Sequence, residues 1–96
     1  MVVEFVKNFE EEFGHTPIQF AADAYDGVYA LKAAMEKAEV TPDMSASDIC
    51  DALKGAMTEI TIDGVTAKNL TWEASGEPSK EPMVVKIENG EYTVVE

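Results

Sequence analysis

The stretch Phe20-Ala-Ala-Asp-Ala-Tyr-Asp-Gly-Val-Tyr-Ala-Leu31 decides how the rest of the chain is read. Alanines at 21, 22, 24 and 30, continued by Ala33 and Ala34, favour helix and permit close packing. The spacing predicts a long helix from Phe20 or Ala21 to about Ala38. Ala22, Tyr25, Tyr29, Met35 and Ala38 can share one face, with Val28 and Leu31 alongside. Gly27 costs about 1 kcal/mol relative to Ala inside a helix. Close approach of another backbone is a reason to keep it.

Upstream, Val2, Phe5, Val6, Phe9 and Phe13 follow the spacing of one apolar helical stripe. Gly14 is placed to stop that helix, and His15-Thr16-Pro17 makes a short connection. Downstream, Thr41-Pro42-Asp43 reads as a loop. Ser45 with Asp48 gives a capping signature for a third helix from Ala46 to Met57, with Ile49, Leu53 and Met57 inward. Thr58 to Ile62 alternates and reads as a strand or extended connection. Asp63-Gly64 and Ser75 to Pro78 are turns, with Leu70-Thr71-Trp72 extended between them. Met83 to Glu88 and Glu91 to Val95 read as strands joined by Asn89-Gly90, whose two positions suit the φ > 0 geometry of a tight hairpin.

The content is therefore α/β: three helices followed by short strands and a C-terminal hairpin. Two or three strands make a poor sheet for three amphipathic helices to cover. The apolar faces are expected to meet a partner that the chain does not supply, and exposed apolar surface of this kind predicts a homodimer.

Composition bounds the function. A chain of 96 residues forms at most one small domain, burying about 60% of its unfolded surface. Nineteen acidic and seven basic residues give a net charge of −12, which argues against nucleic acid and against an anionic membrane surface. The hydrophobic fraction of 46% is that of a globular domain. One Cys and one His leave no intrachain disulfide, no thiolate metal cage and no material for a catalytic triad. No enzyme, cofactor or metal is therefore expected. No apolar run approaches the ~20 residues needed to cross a bilayer. Residues 1–7 lack a basic region followed by an apolar core, so no secretory signal is read there. The chain is then either cytoplasmic or begins after its targeting region.

Five landmarks, in order, resemble the carboxy-terminal part of a type I periplasmic binding protein, in particular the branched-chain amino-acid-binding group of ABC transporter substrate-binding proteins. Phe5 to Pro17 is similar to that family's "F-x-x-x-Y/F-x-x-x-Y/F-G-x-x-P". Ala21 to Ala30 is similar to "A-x-x-x-Y-D-A-V-x-x-L", with Gly27 in place of the usual Ala. Ile49 to Leu53 is similar to "I-x-x-A-L". Asp63-Gly-Val-Thr66, Leu70-Thr-Trp72 and Gly76-Glu-Pro78 are similar to "G-x-T-G-x-x-T/F-x-x-x-G-D", with Ala67 where Gly is usual. Val84 to Gly90 is similar to "V-x-x-I-x-N-G".

The resemblance implies a fragment of a two-lobed fold, with residues 1–76 mainly in one lobe, 77–82 as a crossover and 83–96 as the terminal hairpin. It implies an extracytoplasmic receptor, periplasmic or lipid-anchored, that captures a small ligand, an amino acid, and delivers it to an ABC transporter permease. It carries ligand contact onto Phe20, as an aromatic wall against an aliphatic side chain, and onto Ala22 and Asp23 at the same helix start. The plain alternatives are a core residue for Phe20 and a solvated first-turn carboxylate for Asp23. Much of the binding site would lie in the other lobe, so these residues alone are expected to bind weakly or not at all. Tyr25 and Asp26 are expected to serve packing and hinge hydrogen bonding. Glu10 to Glu12 read as a solvated face, His15 as a surface turn, Cys50 as a small packed residue and Trp72 as core. The reading from another class is a free-standing acidic protein-interaction module or inhibitor, which the charge supports and the order of landmarks does not.

Overall fold

The fold is taken from a computed structural model that describes residues 1–95. Three helices, α1 (Val2–Phe13), α2 (Gln19–Lys37) and α3 (Ala46–Met57), precede a hairpin of β1 (Val85–Glu88) and β2 (Glu91–Val94). The content is a small mixed α/β arrangement, as expected. The expected terminal segment 83–96 includes Glu96, which lies outside the described residues.

Local signals set the helix ends. Gly14 adopts φ 76° and its N–H donates to the Glu10 carbonyl, closing α1 with a left-handed residue. Ser45 Oγ accepts from the Asp48 N–H at 3.1 Å, the cap expected for α3. α2 begins one residue before the earlier of the two expected starts, after an extended Ile18 with no side-chain cap. In the hairpin, Asn89 and Gly90 both take positive φ, 52° and 79°. The register pairs Val85 with Val94 and Ile87 with Tyr92.

The segment Thr58–Ile62 does not form a strand. Thr58 and Glu59 donate backward to the Gly55 and Ala56 carbonyls, extending the turn that ends α3. Only Ile62 pairs, exchanging bonds of 3.0 and 2.8 Å with Leu70. Trp72 pairs singly with Pro78, and the Ser79 N–H donates to the Thr71 carbonyl at 2.9 Å. The first half of the expected crossover, 77–82, is thus tied back to residues 71–73.

The core lies where α2 meets α3. Ala30 and Ala34 of α2 contact Ala56 and Ile60, edged by Leu53, Met57, Ile62 and Trp72. Leu70 is the largest fully buried side chain among the described residues. The large apolar positions grouped along α2 are not its buried face. Its buried stripe is Asp26, Ala30 and Ala34, whereas Tyr25, Val28, Tyr29, Leu31 and Met35 are exposed. Small side chains let the two helices approach closely, and a helix with two apolar stripes buries the one its neighbour can reach. α1 is joined to α2 through rings: Phe5 lies 4.7 Å from Tyr25, within a series running Phe13, Phe9, Phe5, Tyr25, Tyr29.

The molecule is elongated, 52 × 30 × 19 Å, with a radius of gyration of 16.3 Å. A compact chain of this length has about 12.5 Å. Its accessible surface is 7540 Å², against ~5,400 Å² expected for a folded monomer of its mass. The small core makes each buried side chain consequential. Leu70→Ala should lower stability by about 2–5 kcal/mol, measured by urea denaturation followed by circular dichroism.

Candidate functional site

The site is organised by the carboxylate of Asp26. The residue lies on α2 with only 4% of its surface exposed. A buried carboxylate needs donors for its oxygens. Asp26 takes them from a loop some forty residues away along the chain. Val65 N–H donates to Oδ1 at 2.8 Å and Thr66 N–H donates to Oδ2 at 2.9 Å. The Thr66 hydroxyl also donates to Oδ2. The loop approaches so closely at Gly64 that a Cβ there would overlap the carboxylate. The glycine is required by space. Burial pushes the Asp26 carboxyl up, but the Thr66 hydroxyl and N–H, the Val65 N–H and the charge of Lys80 outweigh it. The group is held below the usual carboxylate range.

A cleft of about 750 Å³ opens beside this clamp, between the first turns of α2 and the segment leading into the hairpin. Gln19, Asp23, Thr66, Lys80, Met83 and Tyr92 contribute to its walls. Lys80 Nζ donates to Asp23 Oδ1 at 3.1 Å, joining the two sides; both side chains are about one-third exposed. Two carboxylates (Asp23 and Glu81), an ammonium, an amide and the Thr66 and Tyr92 hydroxyls therefore line one space, with Pro82, Met83 and Val85 as its apolar part. That donor set suits a small polar solute carrying charge of both signs. On the other side of the clamp, Tyr25, Tyr29, Lys32, Asp63 and Gly64 border a second hollow of about 430 Å³.

Of the three residues carried over by resemblance, the structure brings Asp23 into the cleft. Phe20 is 73% exposed and lies outside that cleft's lining, and Ala22 is half-buried beside it. Lys80 was not singled out in the sequence, since a lone lysine in a polar linker carries no signal of its partner. Thr66 carried a signal only as part of the Asp63-Gly-Val-Thr66 landmark. Among the described residues no group of three His, Cys, Asp or Glu side chains is placed to hold a metal ion. Cys50 is exposed, which corrects its reading as a packed residue.

The clamp makes two testable demands. Gly64→Ala should destabilise by about 1–3 kcal/mol, because the added methyl displaces the carboxylate. The lowered pKa of Asp26 has a definite sign in pH. Its stabilisation is present above the unfolded carboxylate value of about 3.9 and is lost as pH falls through the lower folded value. Acid titration of stability should show this loss, and Asp26→Asn should flatten it while lowering stability near neutral pH. Comparison of the chain with family models, curated proteins and solved structures finds no match, so the reading of the site rests on its residues and their chemistry.

Proposed function

We propose that this chain is part of an extracytoplasmic solute-binding receptor that captures a small ligand, an amino acid, for an ABC transporter permease. The observation that carries the reading is the position of the cleft. It lies where the helical body meets the connector and the hairpin, the place the sequence resemblance assigns to the junction of two lobes. A zwitterionic ligand would find the Asp23 carboxylate for its ammonium and Lys80 for its carboxylate, once their mutual pairing yields. A second lobe would close the cleft and exclude water. Capture of this kind makes and breaks no covalent bond. The Asp26 clamp supports the same reading, because it links two of the landmarks, Tyr25-Asp26-Gly27 and Asp63-Gly-Val-Thr66, into one structural unit.

The charge of −12 favours a second reading, an acidic interaction module or inhibitor that binds a basic protein. Such binding would weaken steeply with salt, whereas capture of a small neutral zwitterion would not.

The test is calorimetry against a panel of amino acids. The 96-residue chain alone should show no micromolar binding, whereas the polypeptide that includes a second lobe should bind. In that polypeptide Asp23→Ala should weaken affinity by about tenfold, the loss of one charge-assisted contact. Micromolar binding by the short chain would remove the need for a second lobe, and unchanged affinity in Asp23→Ala would remove the cleft as the site.

A further inference from the structure

We propose that Asn89 is a modification site, where the chain deamidates spontaneously with water as the only co-reactant, and that the product loosens the hairpin. The inference concerns the chain itself and does not rest on the receptor reading.

The chemistry belongs to an asparagine or aspartate followed by glycine. The backbone nitrogen of the glycine attacks the side-chain carbonyl carbon and forms a C–N bond that closes a five-membered ring. That nitrogen gives up its proton. From asparagine the amide leaves as ammonia, and from aspartate the hydroxyl leaves as water. Water then opens the ring at either carbonyl, giving aspartate or isoaspartate, and nothing is oxidised or reduced. Glycine favours the attack because it has no side chain to obstruct its nitrogen. The nitrogen must also be free of other bonds, and the backbone before it must be able to turn.

The chain contains three such pairs, Asp26-Gly27, Asp63-Gly64 and Asn89-Gly90. The fold protects the first two. The Asp26 carboxylate is held by three donors, and Gly27 lies inside α2, where the helical ladder engages its N–H. Asp63 Oδ1 accepts from the Asn69 N–H at 2.9 Å, and the Gly64 N–H donates to the Ala67 carbonyl at 2.9 Å. The third pair has no such protection. Asn89 and Gly90 are both exposed, and among the described residues no hydrogen bond engages the Asn89 amide or the Gly90 N–H. An added Cβ at Gly90 would meet nothing within 4 Å, so the space around it is open. The two strands that hold this turn have four residues each and are exposed throughout. A lone hairpin of that size is marginally stable in water, so the backbone at Asn89 is free to turn.

Asn69 shows what the fold can withhold. Its φ of 52° is the same as that of Asn89. The nitrogen that follows it belongs to Leu70, which is 1% exposed and donates to the Ile62 carbonyl at 2.8 Å. Asn8 lies inside α1, before the bulky Phe9.

The product has a structural effect. A carboxylate at position 89 would stand between Glu88 and Glu91, which face each other across the hairpin. Like charges placed in this way destabilise a strand pair. Isoaspartate also adds a methylene to the backbone of a turn whose two residues both hold positive φ. Val85 and Tyr92, which line the cleft, lie on the strands that this turn joins.

The experiment ages the chain in mildly alkaline buffer, folded and in guanidinium chloride, and reads each site by peptide mapping for lost amide and for isoaspartate. In the folded chain Asn89 should convert first. Unfolding should speed isoaspartate formation at Asp63 by about tenfold or more and change the rate at Asn89 by less than about threefold, because only the former site is protected by structure. Asn89→Gln should abolish conversion at that position, since its longer side chain would have to close a larger ring. In the isoaspartate-containing fraction, the NMR contacts between Ile87 and Tyr92, partners across the hairpin, should weaken. An Asn89 that stays intact in the folded chain would overturn the proposal. So would protection of Asn89 by folding equal to that of Asp63, or unchanged Ile87–Tyr92 contacts in the converted fraction.

Discussion

One carboxylate organises the molecule. Asp26 stands on the long helix and holds the backbone of residues 65 and 66 by their N–H groups. That grip turns the chain back after α3, so that Ile62 pairs with the buried Leu70 and itself packs against the small core. A charged group is an expensive choice for an interior position, and it is retained only because three donors meet it there. Gly64 completes the arrangement by leaving room for the oxygens. Loss of any of these groups would free the loop that carries Thr66 into the cleft, so the same contacts govern both folding and the candidate site.

The economy of the core explains the shape. Alanines at 30, 34 and 56 allow close helix contact but bury little apolar area each. The larger apolar side chains are spent elsewhere, on the aromatic series that tethers α1 and on surfaces that face solvent in the single chain. The result is a molecule with a tight centre and extended ends, stabilised at a few points instead of through one broad interior.

Much of this was legible in the sequence. Ser45, Gly14 and Asn89-Gly90 mark their ends and turns through chemistry that acts over a few residues, and α3 runs over the span its cap predicts. The inward face of α2 was not legible. Periodicity detects apolar stripes, but it cannot decide which of two stripes a neighbour will reach, and here the smaller one was taken. Thr58 to Ile62 misled for a related reason: alternation is a property of side chains, whereas the fate of Thr58 and Glu59 was set by backbone donors completing a helix end. The cleft was half legible. Asp23 was singled out through resemblance, but its partner Lys80 is fifty-seven residues away, and only the folded chain brings the two together. Phe20 shows the reverse case, an aromatic that the resemblance marked and that is exposed outside the cleft's lining.

The hairpin has a consequence for how the molecule holds itself at equilibrium. Every residue of its two strands is exposed, and among the described residues neither strand has a second neighbour. Four paired residues on each side cannot sustain order in water by their own ladder. Opening of this arm therefore costs little, while opening around Leu70 and Ala34 costs the whole fold. Amide protons would exchange with solvent on two separate clocks, a fast one at the arm and a slow one at the helix pair. The cleft wall that Tyr92 supplies keeps the fast time, and the wall that Asp23 supplies keeps the slow one.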